Sequence, residues 1–159
     1  MEDTDDTFIK LEVDGSVLRN GHSGCGGVIR DYLNNWICGF CAKLTNVSPT
    51  IAELMGILHS LNLVWSRGHQ KILIYSDSME AINLATRGCE DSYHFKDLVD
   101  YVRLTVNRDW HTIFCHVERD LIPLADSLAN YAHRIDGNFY LFDCPPPDVS
   151  ETDGEQSRA

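Results

Sequence analysis

Four carboxylates stand where this sequence changes direction. Asp14 closes the run Phe8 to Ser16 (FIKLEVDGS), and Asp77 follows the denser apolar run Lys71 to Ser76 (KILIYS). Glu53 lies in the first turn of a helical stretch beginning at Thr50, and Asp126 in the first turn of the last one, near Leu124. Carboxylates brought together from separate elements are hard oxygen ligands, the donor type that divalent cations such as magnesium take. Singly, each has a plainer role. Asp14 before Gly15 forms a turn, and Glu53 closes a capping box with Thr50 at T-x-x-E spacing. Asp77 caps a helix, with Glu80 three residues on, and Asp126 suits a helix N-terminus through the backbone dipole. The metal reading holds if the fold carries all four to one edge.

The elements around them imply that it does. Phe8 to Ser16 and Lys71 to Ser76 read as strands with covered faces, each ending in an aspartate. Val28 to Asp31 and Trp36 to Leu44 read as strands about the turn YLNN, giving with the first strand an antiparallel meander. The glycines at 21, 24, 26 and 27 mark the loop before it. A helix follows from Thr50 to Gly68 with Ile51, Leu54, Met55, Leu58, Leu61 and Trp65 in one stripe. Further helices cover Ser78 to Thr86, Phe95 to Val106 and Leu124 to Arg134, with a strand at Thr112 to Val117. The order β-β-β-α-β-α-α-β-α predicts an α/β fold: a five-stranded mixed sheet, part meander and part parallel crossover, with helices on both faces. In open sheets of this kind ligands bind at the carboxyl ends of the strands.

The net charge of -11 is concentrated at the ends. Residues 2 to 6 hold four acids and residues 143 to 159 hold five against Arg158, leaving 15 acids and 12 bases between them. The division predicts one domain over residues 8–142, flanked by acidic segments 1–7 and 143–159 without fixed structure. No block of Lys and Arg is present, so affinity for nucleic acid should be modest and salt-dependent. No run reaches the roughly 18 apolar residues of a membrane span and no basic, apolar leader opens the chain, so no membrane is expected as a partner. A soluble monomer inside the cell, in nucleus or cytoplasm and not secreted, is the expectation. Cys38 and Cys41 have CxxC spacing, but WICGFCAKL alternates like a strand and would put the two thiols on opposite faces. With Cys25, Cys89, Cys115 and Cys144 scattered singly, reduced and mostly buried thiols are expected over zinc or a redox pair. Trp36, Trp65 and Trp110 read as packing residues, since no basic and aromatic run supports single-strand binding.

Several stretches together resemble the ribonuclease H domain, in its plant reverse-transcriptase-like form, from about Ile9 to His133. They are VDGS with the following GGVIRD, AEL at Ala52 to Leu54, SDS at Ser76 to Ser78, and HVERD followed by LADSLA between His116 and Ala129. The resemblance implies a ribonuclease H-like fold and assigns Asp14, Glu53, Asp77 and Asp126 as metal-binding, catalytic carboxylates. It implies two Mg²⁺ ions, with Mn²⁺ able to substitute, and hydrolysis within the RNA strand of an RNA–DNA hybrid to leave 5′-phosphate and 3′-hydroxyl ends. His116 matches the family's mobile histidine, whose role is proton transfer or product release. Gly15, Ser16, Asn20 and Asn83 match its RNA and minor-groove contacts, where a protein meets the 2′-hydroxyls that mark RNA. Two-metal phosphodiester hydrolysis explains the acids: hard oxygens hold a pair of ions on either side of the reacting phosphate. The family's usual Asn is replaced by Ile122, the bacterial Gln by Met79, and the Lys-rich protrusion of some relatives by the acidic GCEDSYHF. Those departures thin out the binding aids and leave the catalytic set complete. The competing expectation is a non-catalytic nucleic-acid or protein-interaction module that has kept the fold; a third is a nuclease of the same superfamily acting on DNA.

Overall fold

The computed structural model describes residues 8–146. Strands β1 (Ile9–Val17), β2 (Ser23–Arg30) and β3 (Trp36–Leu44) come first, then α1 (Pro49–Ser66), β4 (Lys71–Ser76), α2 (Met79–Arg87) and α3 (Lys96–Val106). Strand β5 (His111–His116), helix α4 (Pro123–Tyr131) and strand β6 (Phe139–Phe142) complete the order, with 3₁₀ turns at Arg119–Leu121 and Ala132–Arg134. They form one six-stranded sheet in the order β5-β4-β1-β2-β3-β6. The meander is antiparallel, and β4 and β5 join it in parallel on the β1 side.

The mixed α/β sheet is the one the element order predicts, with one strand more. β6 pairs antiparallel with β3, Phe139 opposite Ala42 and Phe142 opposite Gly39. Its sequence, FYLF, is too short for a strand period and has no polar alternation, so it blends into the segment that follows. What holds it is tertiary: the Phe139 ring stacks on Phe40 at 5.6 Å and Phe142 meets Tyr131 edge-on at 5.9 Å. A second difference lies in β1, which does not turn at Asp14-Gly15 but continues to Val17, opposite a β2 that starts at Ser23. Of the glycines read as a loop, Gly24, Gly26 and Gly27 are strand residues, kept extended by pairing on both sides, and only Gly21, at φ 93°, lies in the turn before β2.

The core divides by sheet face. Leu11, Val13, Ile29, Ile72 and Ile74 meet Leu54, Ile57, Leu61 and Val64 of α1 and Val99 and Val102 of α3 on one side. On the other, Val28 meets Leu124 and Leu128 of α4. Cys38 belongs to the first face and Cys41, beside Ala132 and Ile135, to the second, so the CxxC thiols do point apart; all six cysteines are free. Trp65 and Trp110 pack edge to face at 5.0 Å, as packing residues would. No helix of the described residues is long and apolar enough to cross a membrane. Of the C-terminal acidic segment only 143–146 is described, and there the Asp143 carbonyl accepts from the Trp36 indole at 2.7 Å. The predicted N-terminal segment 1–7 lies outside the described residues.

Two glycines decide how closely the helices approach. A Cβ on Gly15 would lie 2.8 Å from the Ala52 Cβ and from the Glu53 backbone nitrogen, so α1 rests directly on β1 there. A Cβ on Gly26 would lie 2.5 Å from the Ala129 nitrogen, so α4 rests on β2 in the same way. Backbone cannot yield as a side-chain tip can. Gly26→Ala should therefore lower stability by about 1–3 kcal/mol in urea unfolding. Gly137→Ala, whose Cβ would find its nearest neighbour at 3.6 Å, should stay within about 0.5 kcal/mol of the parent.

Candidate active site

The pairing of β1 with β4 sets the site. Glu12 lies beside Tyr75 in that parallel ladder, so two residues further on Asp14 comes abreast of Asp77, just past the end of β4. Seating α1 on Gly15 then carries Glu53 to the same point: the Gly15 N–H donates to Glu53 Oε2 at 2.7 Å. Ser76 completes the hold, its hydroxyl donating to Glu53 Oε1 at 3.4 Å and accepting from the Ser78 N–H. Oxygens of Asp14, Glu53 and Asp77 all fall within 4.8 Å of one another.

The plain local roles of these acids are taken by neighbours. Ser48 caps α1, accepting from the Ile51 N–H, and Thr50 donates to Glu80 instead of forming a box with Glu53. Ser78 caps α2, accepting from Ala81. Asp14 is inside β1, so it forms no turn. Three acids are thus held together without any capping or turn role to account for them.

Asp126 is placed differently. It lies in the first turn of α4 and is 8% exposed, yet it is not one of the three acids that converge. It lines a cleft of about 370 Å³ with Glu118, Arg119 and Asp120. Arg119 spans the two groups. Its Nε donates to Asp77 Oδ2 at 3.0 Å, its Nη2 is 3.8 Å from Asp14 Oδ1, and it feels the charge of Asp126. Asp14 foremost, with the hydrogen bond to Asp77, raises the Arg119 pKa above its usual value.

Burial and crowding set the protonation of the cluster. Asp14 is 0% exposed, and its carboxyl is pushed up to about 10 by burial first, then by the hydrogen bond and charge of Glu53 and the charge of Asp77. Glu53 is raised too, chiefly by burial. Burial and mutual repulsion therefore favour the protonated form of both carboxyls in the metal-free protein. Asp14 Oδ2 is buried with no hydrogen-bond partner. An orphaned buried carboxylate oxygen beside two further carboxylates fits a hard divalent cation, which would replace the proton as the compensating charge.

The other residues singled out in the sequence are less uniform. His116 ends β5, exposed, with Nε2 3.2 Å from the Asp77 carbonyl oxygen, so it does reach the rim. The Gly15 N–H, expected at substrate, is engaged with Glu53. Ser16 turns toward α4, its hydroxyl 2.7 Å from Asn130 Oδ1 and 2.9 Å from His133 Nε2. Asn20 accepts from the His22 N–H within its own loop. Asn83 is half-buried on α2 and lines a groove with Met79, Thr86 and Phe114, which holds none of the acids. Ile122, at the family's Asn position, is 1% exposed and belongs to the core. Arg119, Asn130 and His133 were not singled out. Asp126, Asn130 and His133 are spaced four and three apart on one helical face, which is the signal that could have found the last two.

Comparison with known proteins agrees with this geometry. The fold and the carboxylate edge define an α/β domain with an acidic site at one edge of its sheet, and the family follows from sequence. The chain belongs to the ribonuclease H family: the model described as reverse transcriptase-like matches residues 12–132. An Arabidopsis thaliana protein named for ribonuclease H is 31% identical over 144 residues, which is 90% of this chain and 23% of the relative. The chain thus spans about a quarter of that relative's length. The fold is shared with LC11 ribonuclease H1 solved with an RNA/DNA hybrid, at TM-score 0.70, 21% identity and coverage of 78% and 95% of the two chains. It is shared also with ribonuclease H1 of Halobacterium salinarum, at TM-score 0.71, 20% identity and coverage of 79% and 97%. The N-terminal ribonuclease H domain of a Mycobacterium tuberculosis protein superposes at TM-score 0.73 with 18% identity, covering 80% of this chain and 94% of that one.

The raised carboxyls make a pH prediction. Unfolded Asp and Glu titrate near pH 4, whereas Asp14 in the fold does so at about 10. Between those limits the folded state binds more protons, so stability is fully present below the unfolded pKa and falls as pH rises. Thermal melts in a chelator should show Tm declining from about pH 5 to about pH 9, and Mg²⁺ should flatten the decline. Asp14→Asn, which keeps the shape without the charge, should melt higher than the parent at alkaline pH without metal. A Tm that rises with pH would show that the pair is not held protonated.

Proposed function

We propose that this chain is a ribonuclease H-type endonuclease, hydrolysing the RNA strand of RNA–DNA hybrids with Mg²⁺, Mn²⁺ being able to substitute. The observation that carries the reading is the convergence of Asp14, Glu53 and Asp77 at the carboxyl edge of the sheet, with one buried Asp14 oxygen lacking any partner. Family membership and the shared fold support the same substrate class.

Asp14, Glu53 and Asp77 would hold the cations, with Asp126 added from the cleft it lines with Arg119. Divalent cations held there would supply Lewis-acid polarisation of the phosphate and lower the pKa of water near it. The remaining work belongs to the chain. Glu53 is held by the Gly15 N–H and the Ser76 hydroxyl, so its oxygens are aimed before substrate arrives. Holding ligands in place beforehand removes reorganisation from the chemical step. Neutral His116, if its Nε2–H donates to the Asp77 carbonyl, presents Nδ1 as the free acceptor, the atom suited to carry a proton at the rim. Product ends would be 5′-phosphate and 3′-hydroxyl. Ser16, fixed by Asn130 and His133, stands two residues beyond Asp14 and is the polar group best placed for a ribose hydroxyl.

A labelled hybrid should be cut within its RNA strand in Mg²⁺ or Mn²⁺, while double-stranded DNA stays intact. Asp77→Asn should reduce cleavage by orders of magnitude and leave the melt cooperative, because Ser78 and not Asp77 caps α2. His116→Ala should slow turnover more mildly, on the order of 10²-fold at most. Hybrid affinity should fall with salt, with a shallow log-log slope because basic residues are unclustered. Clean protein that binds hybrid but never cuts it, at low salt and in either metal, would replace this reading with the interaction module.

A further inference from the structure

Arg119 is the one feature of the cleft that a set of metal-binding acids does not call for. Its side chain is 62% exposed, whereas Asp14 beneath it is 0% and Asp77 16% exposed, so the guanidinium lies over the solvent side of the cluster. Two atoms it addresses, Asp77 Oδ2 at 3.0 Å and Asp14 Oδ1 at 3.8 Å, belong to carboxylates a cation would use. The contact is single-pronged. Only Nε is at hydrogen-bond distance, without the two parallel bonds of a structural Arg–carboxylate fork. The Arg30–Glu12 pair is a useful contrast, its side chains being only 10% and 11% exposed. Arg119 instead sits on a short 3₁₀ turn among exposed Glu118, Asp120 and Leu121.

We propose that Arg119 is a built-in counter-ion, occupying the approach to the carboxylate cluster until a divalent cation exchanges for it. This rests on the metal-site reading above. In the metal-free protein it offsets part of the repulsion among Asp14, Glu53 and Asp77 from the solvent side, where no buried group could. A divalent cation brings twice the charge and needs the same oxygens at shorter range, so the guanidinium must leave Asp77 as the ion arrives. Displaced, it remains at the rim of the cleft that Asp126 lines, free to pair with a phosphodiester oxygen. Metal and nucleic acid are then coupled through one side chain. Whatever draws Arg119 onto phosphate tightens metal binding, and by linkage metal tightens nucleic-acid binding equally.

Calorimetric titration of Mg²⁺ into the chelator-stripped protein, without nucleic acid, tests this apart from activity. Arg119→Ala should bind Mg²⁺ about five-fold more tightly than the parent, the scale of one exposed ion pair. Arg119→Lys, which keeps a charge on a similar stem, should stay near the parent. The Ala variant should also melt lower than the parent in chelator and match it in saturating Mg²⁺. Equal or weaker Mg²⁺ affinity in Arg119→Ala, with the variant folded by circular dichroism, would overturn the exchange. Should neither parent nor Arg119→Ala take up Mg²⁺, or should Asp77→Asn bind it as well as the parent, the metal site itself is wrong and the exchange falls with it.

Discussion

Like charges buried side by side are the constraint to which this structure answers. Asp14 is sealed from water between strands and helices, with Glu53 and Asp77 close by, and a bare carboxylate there would be expelled or neutralised. Each surrounding feature supplies some compensation: raised carboxyl pKa values at Asp14 and Glu53, the Gly15 N–H on Glu53, the Ser76 hydroxyl, and a guanidinium from the solvent side. None is complete, since Asp14 still has an oxygen without a partner. The core packing that holds α1 on β1 therefore works against local electrostatics. A fold keeps such a conflict where function uses it.

Geometry reaches this point by two independent routes. Pairing of β1 with β4 aligns two acids by register alone, and a parallel ladder cannot slip by one residue without turning each side chain to the opposite face. The third acid comes from helix packing, through the absent side chain of Gly15. Strand register is set by backbone pairing and helix seating by side-chain packing on the same sheet face, so the cluster forms only when both are right. Asp126 depends on yet another contact, α4 against Gly26, and it lines a cleft with Arg119 outside the three-acid cluster.

Much of this was legible in the chain. The strand that carries Asp14, the strand that stops just before Asp77, the apolar stripe of α1 and the alternation around Cys38 and Cys41 are local patterns, and periodicity reads local patterns well. Three things were not. The continuation of β1 past Asp14-Gly15 overrides a strong turn signal because β2 pairs with it through to Ser23. β6 has four residues and no period, and it exists because Phe40 offers a ring to stack on. Arg119 lay in a quoted motif, but nothing in a sequence shows that an exposed arginine on a 3₁₀ turn folds back over acids from β1 and β4.

The sixth strand also separates two ideas of where the domain stops. The family pattern ends at 132, whereas the sheet does not close until Phe142. Past residue 132, Phe139 covers Phe40, Phe142 covers Tyr131, and the Asp143 carbonyl accepts a hydrogen bond from the Trp36 indole. A fragment cut at the family boundary would keep every acid of the cleft and yet leave the hydrogen-bonding side of β3 bare, an invitation to pair with a neighbouring chain. The stretch that the family pattern covers is, in this protein, about one strand shorter than the sheet itself.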